Sequence, residues 1–166
     1  FRLPVLDSDA EVTQLERLRR TKREVTPMIR VGAPVWGEAK WVGNLYPLGT
    51  KSAEFVSAYQ KQFKTVEVNS TFYAVPQRNT FQKWAASVDI DFRFCPKFPK
   101  SVSHQILSPN LADLEKFYQG LESMRDRIGM TFLQLPATFA AKLGDRNATQ
   151  LLKFLESVPR WVKVGV

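Results

Sequence analysis

The amino-acid sequence predicts an α/β protein built on a parallel sheet covered by helices. From residue 29 onward, short apolar runs rich in β-formers alternate with segments whose apolar residues recur every three or four positions. These spacings are typical of strands and of amphipathic helices. Because strands that alternate with helices pair in parallel through helical crossovers, the predicted order is βαβαβαβαβ.

The predicted strands are short and mostly apolar, and they cover residues 29–32, 65–68, 92–96, 130–135 and 161–166. Within 65–68 the side chains alternate, so that Thr65, Glu67 and the following Asn69 share one face while Val66 and Val68 share the other. The valines are therefore expected to pack against helices.

Four helices are predicted between these strands, over residues 52–63, 79–88 and 148–158 and over a segment that begins at Ser108-Pro109. Asn79 is the expected N-terminal cap of the second helix, because its side chain can accept from a free N–H. Pro109 suits a first helical turn, where its missing N–H costs nothing. Pro159 ends the fourth helix.

Residues 1–28 differ from residues 29–166 and are predicted to form a short amphipathic helix and a linker. Ser8 and Glu11 have the spacing of a capping box, and the run 17–23 carries five positive charges. The chain begins with Phe1 and not with methionine. We therefore expect that the native start lies elsewhere.

Composition excludes several classes of protein. One cysteine and one histidine among 166 residues cannot supply a disulfide framework, a zinc finger or an iron–sulfur site. The sequence leaves the cofactor unknown, and a metal ion would need oxygen ligands. The absence of an apolar run of about 18 residues predicts a cytoplasmic protein without a membrane partner.

The net charge of +8 and the sequence pI of about 9.8 raise the question of a nucleic-acid partner. Aromatic and basic residues interleave at Trp36, Lys40 and Trp41. However, basic residues are dispersed outside the run 17–23, and phosphate binding needs them on one face. A solvated basic surface is the favoured interpretation.

Two parallel architectures fit the alternation, the open doubly wound sheet and the closed eight-stranded barrel. The first βα loop starts at Gly32 and does not match G-x-G-x-x-G. The segment Gly49-Thr50-Lys51-Ser52 fails as a phosphate loop, because Thr50 separates the required glycine and lysine. Neither nucleotide-binding motif is present.

Polar residues follow the predicted strands at their carboxyl ends. Glu67 and Asn69 belong to the second strand, Lys97 follows the third, His104 lies in the loop after it, and Gln134 interrupts the fourth. A carboxylate facing a barrel interior is costly unless it is paired or used. Glu67 is therefore either a structural carboxylate held by a cation or an amide, or a site residue.

Aromatic residues are expected around the same edge. Trp36, Trp41 and Tyr46 lie in a first loop of about 20 residues, where two to six are usual, and Phe72 and Tyr73 lie in the second. Such loops either bind a flat ligand or close the mouth of a barrel. The ligand-binding candidates are Trp36, Trp41, Asn69, Tyr73 and Gln134.

Six motifs stand in order along the chain: Gly32-Ala33-Pro34-Val35-Trp36, residues 41–47, residues 65–73, Phe92-Arg93-Phe94 with Lys97, Ser103-His104 and Gln134-Leu135-Pro136. In this order and spacing they resemble the YecE-like family, also called the domain of unknown function 72. The block 65–73 is the most specific. The resemblance covers nearly all of residues 29–166 and leaves residues 1–28 outside.

The resemblance implies a TIM-type (β/α) barrel whose pocket lies at the carboxyl ends of the strands. It places six residues in that pocket, Glu67, Asn69, Tyr73, Lys97, His104 and Gln134, and it supplies no reaction. Ser103 stands where the family commonly has threonine. The family pattern also continues beyond Val166 with a glutamate and an arginine, which this sequence does not contain.

Repeat length predicts that the barrel is incomplete. Four βα repeats occupy residues 29–162, about 33 residues each, so eight repeats would take about 265. The chain then holds an N-terminal portion of about four and a half repeats. Open sheet edges in such a fragment predict self-association.

The leading functional hypothesis is an enzyme, a lyase, isomerase or hydrolase, acting on a small phosphorylated or carboxylated compound. Glu67 would be the general base, His104 a general acid or anion donor, and Lys97 an electrostatic clamp or an imine-forming amine. Asn69 and Gln134 would orient the substrate. The alternatives are a non-catalytic module that binds a ligand or nucleic acid, and an inactive barrel fragment.

Overall fold

The computed structural model describes residues 29–106, 109–139 and 145–166. The helix and linker predicted for residues 1–28 lie outside the described residues, as does Ser108. None of the helices in the described ranges is both long and apolar enough to cross a membrane.

Four short parallel strands form the centre of the fold, namely β1 (Thr65–Val68), β2 (Arg93–Pro96), β3 (Met130–Phe132) and β4 (Lys163–Gly165). β1 pairs with β2, and β3 pairs with β4. Two hydrogen bonds of 2.8 Å link the pairs, from the Gly129 N–H to the Phe94 carbonyl and from the Phe98 N–H to the Phe132 carbonyl. The four strands therefore lie side by side in chain order, and the predicted α/β class with parallel strands is confirmed.

The strand predicted for residues 29–32 is not formed, and residues 29–33 have no regular secondary structure. The Glu67 N–H donates to the Ala33 carbonyl at 3.1 Å, as a strand neighbour would. The Ala33 N–H instead donates to the hydroxyl of Tyr59 at 2.6 Å. This donor is satisfied by a side chain, so the segment lies beside β1 without a regular ladder.

Gly32 permits the close approach of this segment to β1. A Cβ atom at this position would overlap the carbonyl oxygen of Thr65. We expect Gly32→Ala to lower the free energy of unfolding by about 1–3 kcal/mol, because the methyl group must displace backbone. Urea unfolding measures this change.

Gly37→Ala is the matched control, because a Cβ atom at Gly37 would have no neighbour within 4 Å. Its only expected effect is a gain of no more than about 1 kcal/mol from a stiffer unfolded chain. Equal losses in the two variants would show that the Gly32 contact does not hold the segment against β1.

In the described part of the chain, six α-helices accompany the strands: α1 (Phe55–Tyr59), α2 (Ser70–Tyr73), α3 (Arg78–Ala86), α4 (Lys100–Ser103), α5 (Leu111–Glu122) and α6 (Asp145–Ser157). Short 3-10 turns cover Ala39–Trp41, Ser52–Glu54 and Arg125–Arg127. The predicted helix 52–63 is thus a 3-10 turn followed by five α-helical residues. The four-residue helices α2 and α4 were not predicted, because they are too short to show a 3.6-residue period.

The start of α5 corrects the prediction at Ser108-Pro109. The helix begins at Leu111, and the Asn110 side chain accepts from the Asp113 N–H at 3.1 Å. Asparagine is among the strongest N-terminal caps, so the helix starts after Asn110, two residues later than the predicted start at Pro109.

The main core lies between the sheet and the helices and is rich in aromatic side chains. Val66, Val68 and Phe94 point into it from β1 and β2 and are almost fully buried. Phe81 of α3 lies against Gly120 of α5, where a Cβ atom would overlap the phenyl ring. This packing covers one face of the sheet and leaves the opposite face of β1 and β2 free to carry polar groups.

Candidate functional site

The polar face of β1 and β2 follows from side-chain alternation. Val66 and Val68 are buried, while Thr65 and Glu67 point to the other side, as predicted. In the parallel register Glu67 stands opposite Cys95, and the Thr65 hydroxyl lies 3.5 Å from the Cys95 sulfur. Side chains from both strands therefore meet on the face that the helices do not cover.

Glu67 and Lys97 form an ion pair on this face. The Lys97 Nζ lies 2.7 Å from Glu67 Oε1, and the two side chains are 18% and 30% exposed. Lys97 is the residue after β2, and its N–H donates to the Val68 carbonyl at 3.3 Å. The carboxyl ends of the two strands thus bring a carboxylate and an ammonium into contact, while both stay reachable from solvent.

The surface pairs of Lys64 provide a contrast. Lys64 lies 3.6 Å from Asp89 and 3.5 Å from Asp91, and these side chains are about half exposed or more. Such exposed pairs contribute little to stability. The shorter and more buried pair of Glu67 with Lys97 is the better candidate for chemistry.

Thr71 fixes the backbone that carries this pair. Its hydroxyl is fully buried and lies 2.8 Å from the carbonyl oxygens of both Val68 and Lys97. The hydroxyl proton is shared between the ends of β1 and β2, at the start of α2. Thr71 therefore holds the ends of β1 and β2 in position. This role was not predicted, because no sequence pattern marks a hydroxyl that bridges two strands.

Two cavities meet at Glu67. The first, of about 220 Å³, is lined by Pro34, Val35, Trp36, Gly37, Glu67, Asn69 and Ser70. The second, of about 300 Å³, is lined by Glu67, Lys97, Phe132, Leu133, Gln134, Gly165 and Val166. We call them the Trp36 cavity and the Lys97 cavity. Glu67 lines both, so its carboxylate stands where they adjoin.

The wall of the Trp36 cavity is held by side chains from distant parts of the chain. The Asn69 amide donates to the Pro34 carbonyl at 3.0 Å. The Tyr46 hydroxyl donates to the Trp36 carbonyl at 2.6 Å. Since the Ala33 N–H is also bonded to the Tyr59 hydroxyl, three side chains hold the backbone of residues 33–36.

Burial raises the pKa of Tyr46 to about 12, with the neighbouring Tyr59 as a smaller cause. Burial alone raises the pKa of Tyr118 to about 12. The Tyr118 hydroxyl has no hydrogen-bond partner within the described ranges. Burial thus disfavours the phenolate form of both tyrosines. They differ in that the Tyr46 hydroxyl donates a hydrogen bond, to the Trp36 carbonyl.

We expect stability to fall as the pH rises from about 10 to about 12. An unfolded tyrosine loses its proton near pH 10, whereas folded Tyr46 and Tyr118 keep theirs until about pH 12, so the folded state binds more protons in this window. Urea unfolding at pH 8 and pH 11 measures the loss.

Tyr118→Phe should reduce this loss at almost no cost in the free energy of unfolding at pH 8. Tyr46→Phe should reduce it too, but should cost about 1 kcal/mol at pH 8 for the lost bond to Trp36. A pH dependence unchanged in both variants would contradict the assignment.

His104 lines a different cavity from the Glu67–Lys97 ion pair. It lines another cavity, of about 320 Å³, together with Ser103, Gln105, Ile106, Pro136, Thr138, Phe139 and Asn147. Its Nδ1 lies 3.3 Å from the Ser103 hydroxyl, and its ring packs edge-on against Phe72 at 5.3 Å. In the chain, the unpredicted helix α4 lies between Lys97 and His104.

The predicted aromatic ligands have three different environments. Trp36 lines the Trp36 cavity and packs edge-on against Trp84 and Phe94, with ring centroids 5.1 and 5.9 Å apart. Trp41 is stacked with Tyr59 at 6.3 Å and lines neither cavity at Glu67. Tyr73 is 81% exposed and lines neither. Of the three, only Trp36 is placed to contact a ligand beside Glu67.

The remaining polar candidates take their predicted side of the sheet. Asn69 lines the Trp36 cavity, and Gln134 is exposed at the wall of the Lys97 cavity. In residues 29–106, 109–139 and 145–166, no three His, Cys, Asp or Glu side chains are grouped as metal ligands would be. The site as described is one carboxylate, one ammonium and two amides around adjoining cavities.

Sequence comparison finds relatives whose names state no activity. The family described as "Protein of unknown function DUF72" matches residues 30–166. UPF0759 protein YecE of Escherichia coli K12 is 39% identical over 140 residues, which cover 84% of this chain and 47% of that protein. UPF0759 protein YunF of Bacillus subtilis 168 is 25% identical over 122 residues, covering 69% and 42%. This chain spans about half the length of these relatives.

Solved structures of similar fold carry the same family name. A DUF72 family protein of Thermotoga maritima MSB8 has a TM-score of 0.66 and 30% identity, covering 84% of this chain and 55% of that chain. A DUF72 family protein of Enterococcus faecalis V583 has a TM-score of 0.61 and 20% identity, covering 82% and 49%. The second likeness bears on the fold alone.

Proposed function

This chain belongs to the DUF72 family, proteins of unknown function, and we propose that it is an enzyme that acts on a small anionic compound at the carboxyl ends of its parallel strands. The observation that supports this proposal is the 2.7 Å ion pair of Glu67 and Lys97 between two cavities. A paired acid and base in a concave site is the arrangement that proton-transfer chemistry needs.

The two charged groups have complementary tasks. Glu67 accepts a proton from the substrate or from a water molecule, since its carboxylate is reached from both cavities. Lys97 holds the anionic group of the substrate, or the negative charge that develops as the proton leaves. One N–H of its ammonium is directed to Glu67, and two remain for a ligand. A lyase, isomerase or hydrolase reaction would use these steps.

The amides orient the substrate in this proposal. Gln134 offers a donor and an acceptor in the Lys97 cavity, and the Asn69 amide is already fixed by its bond to Pro34. His104 takes no part in this step, because it lines a different cavity. The proposed catalytic groups are therefore Glu67 and Lys97.

We also propose that the strands belong to a TIM-type barrel. This proposal is supported by the order of the strands, because β1 to β4 are parallel neighbours in chain order. In an open doubly wound sheet, by contrast, the strand order reverses at a switch point. In a barrel the polar face of β1 and β2 would be the interior, and the carboxyl ends of the strands would form the catalytic rim.

Binding of inorganic phosphate tests the anion site. We expect Lys97→Met to weaken phosphate binding at least tenfold in calorimetric titration at low salt, because the ammonium is the charge that holds the anion. Lys64→Met is the matched control, since Lys64 precedes β1 at the opposite end of the strand and is also paired with carboxylates. Equal phosphate affinities in the wild-type protein and in Lys97→Met would contradict the proposal.

Turnover is tested by proton and phosphorus NMR in D2O on a set of small phosphate esters and 2-oxo acids. An isomerase or lyase would exchange a C–H proton for deuterium or release a fragment, and a hydrolase would release phosphate. Conversion of none of these compounds would contradict the enzymatic part of the proposal, even if Lys97-dependent phosphate binding is found.

A further inference from the structure

We propose that the substrate carries a flat apolar group next to its anionic group, with the apolar group in the Trp36 cavity and the anionic group in the Lys97 cavity. This inference rests on the proposed function and names its substrate class. It follows from the difference between the two cavities that adjoin at Glu67.

The Trp36 cavity has an apolar wall. Pro34, Val35 and the Trp36 indole form one side of it, and Gly37 adds no side chain. The only charged group of the lining is Glu67 at the boundary with the second cavity. An apolar group that enters would exchange water for contact with a proline, a valine and an indole ring, which is the favourable transfer of the hydrophobic effect.

This wall is preorganised. The Tyr46 and Asn69 side chains hold the carbonyls of Trp36 and Pro34, and the Trp36 ring is packed against Trp84 and Phe94 of the core. A ligand therefore does not have to order the loop when it binds, and little of its binding energy is spent on conformational entropy. The large aromatic residue of the lining is thus kept in place to contact a ring.

The Lys97 cavity is the more polar of the two, although Phe132, Leu133 and Val166 also line it. It contains the ammonium of Lys97 and the exposed amide of Gln134, beside the Glu67 carboxylate. An anionic group can take the free N–H donors of Lys97 and the amide of Gln134.

The volumes of the two cavities suit a small ligand. Their volumes, about 220 and about 300 Å³, together fall in the range of about 300–1,000 Å³ that is usual for small-molecule sites. A single ring joined to one phosphate or carboxylate would occupy both. The atoms that join the two groups would then lie beside the Glu67 carboxylate, where a general base is needed.

The test compares methyl phosphate with phenyl phosphate, which share one anionic group and differ in the apolar group. In calorimetric titration of the protein we expect phenyl phosphate to bind at least tenfold more tightly, a difference of about 1.4 kcal/mol. Trp36→Ala should remove most of this advantage, so that methyl phosphate and phenyl phosphate bind with similar affinities. Lys97→Met should weaken both ligands by a similar factor.

A second variant guards against loss of folding, since the Trp36 ring also packs in the core. Val35→Asn changes a side chain that is 41% exposed and lines the same cavity. It makes this side chain polar, so it should also reduce the preference for phenyl phosphate.

The outcomes separate the inference from the proposed function. Equal, Lys97-dependent affinities for the two phosphates would overturn the inference and leave the anion site intact. A preference for phenyl phosphate that persists in Trp36→Ala and Val35→Asn would also overturn it, because the ring would then bind elsewhere. Failure of both phosphates to bind would contradict the proposed function, and the inference with it.

Discussion

Phe94→Ala is expected to lower the free energy of unfolding by about 3–5 kcal/mol, the usual cost of deleting a buried phenyl ring. Phe94 is fully buried in β2. Its ring packs edge-on against Phe92 at 4.9 Å and is stacked with Trp84 at 6.3 Å. Because small domains are stable by about 5–15 kcal/mol in total, this loss is a large part of the reserve. Urea unfolding followed by tryptophan fluorescence measures it.

Leu48→Ala is the control for this experiment, because Leu48 is 87% exposed. Surface substitutions of this kind change stability by no more than about 0.5 kcal/mol. A loss below about 1 kcal/mol for Phe94→Ala would mean that the contacts of Phe94 with Phe92 and Trp84 do not hold the sheet to its helices.

The same substitution links the core to the candidate site. Trp36 packs its ring on Phe94, so the void left by Phe94→Ala removes one support of the Trp36 cavity. Interiors are close-packed, and a neighbour of such a void shifts toward it. If the ring of a ligand binds against Trp36, the variant should lose part of its preference for phenyl phosphate even where it remains folded.

Elements that depend mainly on neighbouring residues in the chain could be predicted from local sequence patterns. The alternation of residues 65–68 predicted both the bounds of β1 and the faces of Val66 and Glu67, and both are confirmed. Alternation suffices because side chains of any strand point to opposite faces in turn. The helix 148–158 was predicted from its apolar period and found as α6, which begins at Asp145.

Elements that depend on contacts between residues far apart in the chain could not be predicted in this way. Residues 29–32 have the composition of a strand, but the Ala33 N–H finds the hydroxyl of Tyr59, 26 residues further along the chain. A local sequence pattern around residues 29–33 does not include Tyr59. His104 similarly follows a helix, α4, of four residues after Pro99 that carries no periodic signal, and it lines a different cavity from Lys97.

The ion pair lies between these two cases. Parallel strands bring their carboxyl ends to one edge of a sheet, so Glu67 and Lys97 could be placed near each other from the sequence. Their contact at 2.7 Å also needs the register that sets Glu67 opposite Cys95, two residues before Lys97. That register depends on backbone pairing and on the Thr71 bridge, which the sequence does not show. The catalytic roles of the two residues remain predictions.

Glu67→Gln is expected to reduce the turnover number of any compound that the protein converts by about 10²–10⁴, the usual contribution of a general base. This factor corresponds to about 2.7–5.4 kcal/mol of activation free energy. Glutamine has the shape of glutamate, and its carbonyl oxygen can still accept from Lys97 Nζ. The fold and the affinity for phosphate are therefore expected to survive, while the proton acceptor is lost. NMR rates in D2O and phosphate titration measure the two quantities separately.

Glu122→Gln is the matched control for this loss of charge, since Glu122 is also paired, with Arg125 at 3.3 Å, and lies outside both cavities at Glu67. It should leave turnover unchanged. A full rate in Glu67→Gln would remove the general base from the proposed mechanism. A lost rate together with lost folding would instead assign Glu67 the structural role that a partly buried carboxylate can have beside a lysine. A lost rate in a folded protein that still binds phosphate is the result that only a catalytic carboxylate predicts.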